Sequence, residues 1–228
     1  MLDEPLGLTV HSLPSPAQAE DDVQRRTVRG RWRLLALMAV CAAPVVASYF
    51  TYYVVRPETR RSYGQLIEPQ RPLPQFAATG LDGKSQPLAA LKGQWLLISV
   101  AGGSCDPACE RHLYLQRQLR EGLGKDKDRM DWVWLVPDAA PVRPALLPAL
   151  SQATVLRVPG EQLAQWLPAA AGHGMQEHLF LVDPLGNLMM RFPAALDPGS
   201  APQAKRDLDR LMRASAGWDR PGRETPAQ

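Results

Sequence analysis

The chain has 228 residues, 45% of them hydrophobic and 21% charged, which suits one globular domain of ordinary size plus appendages. Its formal net charge is only +3, with the basic residues spread along the sequence, so there is no electrostatic case for nucleic-acid binding. Three cysteines, one inside an apolar run and two close together, exclude a disulfide-stapled scaffold and leave redox chemistry or metal binding for the close pair.

Residues 1–33 carry Pro, Ser and the acidic cluster Glu20, Asp21 and Asp22. Too little of this segment is apolar to offset its ordering entropy, and it is expected to be a disordered tail. Residues 34–55 are uncharged and long enough to cross a bilayer as one helix. Tyr49, Phe50, Tyr52 and Tyr53 crowd its end as an aromatic belt does, and Pro44 is of a kind that membrane helices tolerate. Arg25, Arg26, Arg29, Arg31 and Arg33 precede the run, while Arg56, Arg60 and Arg61 follow it. This asymmetry keeps the N-terminus in the cytoplasm and exports the rest, giving a single-pass inner-membrane protein with a periplasmic domain. A cleaved signal peptide is the competing reading. The long polar leader, and an apolar run that continues past any small-residue cleavage site, favour an uncleaved anchor. Cys41 reads as a small apolar residue of that helix.

Residues 56–71 form a polar linker, and the domain is expected over 72–216. Leu81-Asp82-Gly83-Lys84 is a turn between two short extended pieces. Residues 95–100 are a continuous apolar run, the mark of a strand buried on both faces. Asp106-Pro107 opens a helix reaching Glu121, closed by Gly122 and Gly124. Buried strands are predicted at 132–136 and 154–158, and a helix at 160–167. Residues 178–182 and 188–192 flank the turn Asp183-Pro184-Leu185-Gly186-Asn187 and make a hairpin. Leu208, Leu211 and Met212 give a closing helix its apolar stripe, and 217–228 is a loose Pro/Gly-rich tail. Strands alternating with helices, then a hairpin and a last helix, describe an α/β sandwich around a central mixed sheet.

The close pair stands in Gly102-Gly103-Ser104-Cys105-Asp106-Pro107-Ala108-Cys109-Glu110, where the first buried strand hands over to its helix. Unpaired N–H groups and the macrodipole at a helix start favour a thiolate at Cys105. Cys109, four residues on, lets the two sulfurs converge. They can close a disulfide or grip one soft ion, for which Cu(I) is better suited than a four-coordinate zinc. Two buried cysteines acting as small apolar residues are the bland alternative.

Strand, CxxxC and helix, with the later hairpin His178-Leu179-Phe180-Leu181-Val182-Asp183-Pro184-Leu185-Gly186-Asn187, resemble the Sco/SenC family over residues 72–215. The resemblance implies a membrane-tethered, thioredoxin-like protein that assists copper delivery to cytochrome c oxidase, with the oxidase's copper-bearing subunit or its assembly factors as partners. It implies copper binding by both cysteines, matched by Cys105 and Cys109, and by a distal histidine. Counting back from the hairpin turn, that histidine's position is occupied by Met175, a soft thioether. His173, two residues earlier in a glycine-flanked loop, is the other donor candidate, and His178 reads as structural. Three departures accompany the match. Glu110 stands where the family has proline, Gly102-Gly103 where it has an aromatic lead-in, and Ala139-Ala140-Pro141 follow Asp138 in place of charged neighbours.

Three functions remain open at this point: copper handling, thiol–disulfide exchange on the cysteines of a partner's copper site, and a non-catalytic scaffold on an oxidase. Thioredoxin-type reductases carry CxxC and a proline before the hairpin strand, whereas here the spacing is longer and Gln176-Glu177 precede His178. His112, three residues after Cys109 on a neighbouring helix face, is a candidate further ligand but reads rather as exposed or capping, and Met189 and Met190 read as strand residues with a packing role.

Overall fold

The computed structural model describes residues 16–55, 62–194, 196–219 and 221–222. Two compact units make up the chain, residues 1–60 and residues 61–228.

The first unit is helix α1, Pro16–Phe50, continued by a wider π-type turn over Thr51–Val55. Within it, Thr27–Val54 is long and apolar enough to span a membrane, and none of that stretch is buried by protein. The helix therefore starts well before residue 34, so 16–33 are helical where a disordered tail was expected. Good helix formers after Pro16, among them Ala17, Gln18, Ala19, Glu20, Gln24, Arg25 and Arg26, extend a helix cheaply once the span has nucleated it. Residues 1–15 of that tail, and 56–61 of the expected linker, lie outside the described residues.

The second unit holds one eight-stranded sheet: β1 (Gln65–Pro72), β2 (Ala77–Gly80), β3 (Ser85–Pro87), β4 (Trp95–Val100), β5 (Met130–Val136), β6 (Thr154–Arg157), β7 (Leu179–Val182) and β8 (Asn187–Arg191). The order is β1-β8-β7-β4-β5-β6-β2-β3. β4 runs parallel to β5 and β5 to β6, and the remaining pairings are antiparallel. α2 (Pro107–Glu121), α3 (Gly160–Trp166) and α4 (Ala201–Ala214) cover its faces.

β1 corrects the expected linker. Gln65 pairs with Arg191 and Pro72 with Asn187, so half of 56–71 is an edge strand. It is mostly exposed and holds two prolines, which only an edge tolerates. Ahead of it, the Tyr63 and Gly64 amides donate to the buried Asp207 carboxylate of α4 at 2.6 and 3.0 Å.

Every residue of β4 is buried, as its unbroken apolar run requires. Alternation divides it: Leu96, Ile98 and Val100 join Phe180, Leu163 and Trp166 on the α3 side. Trp95 and Leu97 join Leu115, Leu119, Leu208 and Met212 on the other. Trp132, Trp134 and Val136 of β5 pack with Leu113 and the two cysteines.

The chain after α4 is also less loose than expected. Buried Arg129 donates to the Met212 and Ser215 carbonyls at 2.8 and 3.1 Å and pairs with Asp219 at 2.7 Å. Gly222 N–H then donates to the Asp128 carbonyl at 2.8 Å. Residues 223–228 lie outside the described residues.

Candidate functional site: a cysteine pair at the start of α2

Asp106 caps α2, its carboxylate accepting from Cys109 N–H at 2.8 Å, and Pro107 fills the first helical position. Just before it, Gly102 to Cys105 form a turn closed by Cys105 N–H to the Gly102 carbonyl at 3.0 Å. Cys105 has φ +43°, a left-handed backbone that costs a residue with a Cβ about 1–2 kcal/mol. In that pose it is joined to Cys109 as a disulfide, with the Cα atoms 5.2 Å apart. Both cysteines are nearly buried, against Leu113, Trp132 and Trp134. The exposed thiolate that a helix start suggests for Cys105 is thus closed into a bond and covered by indole.

The loop after β5 holds this turn in place. One Asp138 carboxylate oxygen accepts from the amides of Gly103 at 3.0 Å and Ala140 at 3.1 Å. Arg157 of β6 donates to the carbonyls of Asp138 at 2.7 Å and Ala140 at 2.8 Å. The two loops lie so close that a Cβ on Gly102 would come within 2.5 Å of the Asp138 carboxylate, and one on Gly103 would overlap the Ala140 carbonyl. This close approach accounts for Gly102-Gly103 where the resembling family has an aromatic lead-in. Glu110, at the position of that family's proline, forms an ion pair with Arg143, tying α2's first turn to the 3₁₀ segment Pro144–Leu150. Deeper in α2, the buried Gln116 amide accepts from Ser99 Oγ at 2.9 Å and donates to the carbonyls of Val133, at 3.0 Å, and Leu97. The helix bearing Cys109 is therefore bolted to β4 and β5.

A cleft of about 560 Å³ borders the pair. Ser104, Cys105, Cys109 and His112 line one bank, and Glu177 and Leu196 belong to the other. His112, expected to be exposed, is half-buried in this cleft beside the Gln176 backbone. Burial pushes its pKa below the ordinary imidazole value. The Gln176 backbone opposes this in part, Arg111 adds to it, and Asp106 and Glu177 oppose it.

The residues expected to complete a copper site lie elsewhere. His173 is exposed, with Nδ1 held 2.8 Å from Glu177 Oε2. Glu177 also accepts from Gly174 N–H at 2.7 Å, and that amide, followed by His173, holds its carboxyl below the usual range. Met175 packs against the α3-side core, apart from the cysteine cluster. His178 is buried just ahead of β7. Its Nδ1 lies 2.9 Å from the Phe192 carbonyl, and its Nε2 accepts from Ala170 N–H at 3.2 Å. Both nitrogens are occupied, so the proton sits on Nδ1 and the residue ties the loop to β8's exit. Met190 is buried, with Met189 packed partly buried in the same α4-side core. Among the described residues, no three or more His, Cys, Asp or Glu side chains stand ready around one metal position.

The family described as transmembrane-like, thioredoxin-like, C-terminal domain matches residues 95–215, and its transmembrane-like, N-terminal domain matches 24–55. The chain belongs to the transmembrane-like, thioredoxin-like family. A thioredoxin-like α/β domain behind a single N-terminal membrane anchor is therefore its architecture. No curated protein matches it. Among solved structures, this family member is similar to copper-bound ScoI of Bradyrhizobium japonicum, at 20% identity and TM-score 0.42, over 60% of this chain and 98% of that one. Copper-bound ScoI of Arabidopsis thaliana is similar at 13% identity and TM-score 0.49, over 67% and 99%. The thioredoxin domain of a thiol-disulfide oxidoreductase from Bacteroides vulgatus is similar at 15% identity and TM-score 0.45, over 62% and 96%.

Proposed function

We propose that the chain is a membrane-tethered, Sco-like assembly factor that handles Cu(I) through Cys105 and Cys109 for the copper-bearing subunit of cytochrome c oxidase. The observation that carries this reading is the convergence of the two cysteines at the β4–α2 junction, 5.2 Å apart at Cα and bordering a cleft. Once reduced, the pair offers two soft sulfurs to one ion, and binding as thiolates releases two protons. The arginine excess before the apolar helix supports a cytoplasmic N-terminus and a periplasmic domain, where a disulfide can persist.

The test is anaerobic Cu(I) titration of the reduced, detergent-solubilised full chain against a chromophoric chelator. The expected result is one-to-one binding, lost in both Cys105→Ser and Cys109→Ser. Binding no tighter than in the serine variants would remove the copper reading.

A second reading, dedicated thiol–disulfide exchange on the cysteines of a partner's copper site, is favoured by the closed disulfide and by the diversion of His173 and Met175. There the Cys105 thiolate attacks a partner disulfide. Cys109 then resolves the mixed disulfide, and both partner sulfurs leave as thiols. A redox titration against a reference dithiol, with trapping of the mixed disulfide in Cys109→Ser, separates the two.

A further inference from the structure

We infer that the cleft beside the cysteine pair selects a partner segment in which the reacting cysteines are flanked by lysine or arginine. The inference rests on the exchange reading above and deepens it by naming the chemistry of the partner.

Burial of the sulfurs gives the cleft its say. Cys105 is 2% and Cys109 6% exposed, yet both line this hollow, so an incoming sulfur approaches through it with its own main chain laid between the banks. At about 560 Å³ it falls within the roughly 300–1,000 Å³ of ligand clefts, room for a short stretch of extended chain. Leu115 and Leu196 give it apolar wall.

The charged lining is uneven in sign. Asp106, Glu177 and Asp197 bring three carboxylates, against the single guanidinium of Arg111. Asp106 is exposed and fixed by Cys109 N–H at 2.8 Å. Asp197 is exposed and accepts from Ser200 Oγ at 2.7 Å and Ser200 N–H at 2.8 Å, which hold its carboxyl below the usual range. Neither forms an ion pair among the described residues. Glu177 shares its charge with His173. Asp106 and Glu177 belong to opposite banks, yet both oppose the lowering of the half-buried His112 pKa, so their fields overlap inside the cleft. A hollow lined mostly by one sign of charge concentrates the opposite sign and speeds encounter. Basic flanks match it, and acidic flanks meet repulsion.

The step this speeds is balanced. A partner thiolate attacks the Cys105–Cys109 disulfide, a mixed disulfide forms, and the other chain sulfur leaves as a thiolate. The partner's second thiolate resolves the mixed disulfide. The partner ends as its disulfide, and the chain gains two electrons and two protons.

The test uses the oxidised, detergent-solubilised full chain and three short dithiol peptides alike except for lysine, serine or glutamate flanks. Transfer is followed by acid quenching, alkylation and mass measurement. Each rate is divided by that of the same peptide with bis(2-hydroxyethyl) disulfide, which removes the influence of the flanks on the thiols themselves. At about 10 mM salt the lysine peptide is expected to exceed the glutamate peptide roughly tenfold, with serine between, and at about 0.5 M salt the gap should narrow to about twofold. In Asp106→Asn/Asp197→Asn, which keeps both capping acceptors, the low-salt ratio should fall to about threefold, and Arg111→Gln should raise it. A melting temperature matching wild type excludes a folding defect in the variants, and the salt dependence needs no variant. Equal rates, a faster glutamate peptide, or a lysine preference indifferent to salt and to the double variant overturns the inference and leaves the exchange reading standing. No transfer from any peptide overturns both.

Discussion

The two banks of the cysteine cleft are built in opposite ways. On the β4–α2 bank, side chains bridge one stretch of main chain to another, and one of them, Gln116, is fully buried. Asp138 and Arg157 clamp the Gly102–Cys105 turn, and Gln116 joins α2 to two strands. On the other bank, the loop before β7 is bonded largely to itself, through His173, Gly174 and Glu177, and is moored by His178 at its end. The difference teaches where precision resides. The cysteines are positioned by the core, and the loop is positioned by its own surface.

Breaking the rigid bank should have the largest effect. Gln116→Ala strips two strand carbonyls and the Ser99 hydroxyl of a buried partner and leaves a void. A loss of about 3 kcal/mol is expected by urea unfolding. Gly103→Ala forces a methyl into the Ala140 carbonyl and is expected to cost about 2 kcal/mol. It should also shift the redox midpoint of the pair, which a titration against a reference dithiol would read. Asp138→Ala removes the acceptor of two loop amides and is expected to cost about 1 kcal/mol.

The mooring of the second bank is tested by pH. Burial lowers the His178 pKa in the folded state, with Arg191 and His173 adding to the shift and the Phe192 carbonyl and Glu177 opposing it. The unfolded state therefore takes up a proton that the folded state refuses. Stability is full above about pH 6.5 and declines as the pH falls below it, until the folded pKa is passed. His112 contributes with the same sign. Melting temperatures from pH 7.5 down to 5 should show this decline, with a shallower slope in His178→Gln. The smallest effect is expected from His173→Ala, which removes an exposed contact and should change stability by no more than about 0.5 kcal/mol.

What could be read in the sequence followed the strength of local signals. The strand at 95–100 coincides with β4, and the helix from Asp106-Pro107 to Glu121 coincides with α2, because a continuous apolar run and a capped, proline-started helix each declare themselves locally. The turn at Leu81–Lys84 and the hairpin after His178 were equally marked, by Asp-Gly and Pro-Leu-Gly-Asn chemistry. β1 was not legible, since a polar edge strand with two prolines acquires its order only from pairing with β8. The 3₁₀ segment at Pro144–Leu150 and the Arg129–Asp219 pairing depend on partners 33 and 90 residues away. At the site, the CxxxC pair announced itself by spacing. The place of His112 did not, because the cleft exists only once residues 176–177, 194 and 196–198 fold over α2. Its position on the same helix as Cys109 was the one available signal.

The left-handed backbone at Cys105 carries a consequence for how such a protein ages. Glycine adopts φ +43° at no steric cost, so a chain selected for stability alone has reason to discard the Cβ at 105. Folding and chemistry pull this single position in opposite directions. What holds a cysteine there against that pull is the bond to Cys109, which no glycine can make.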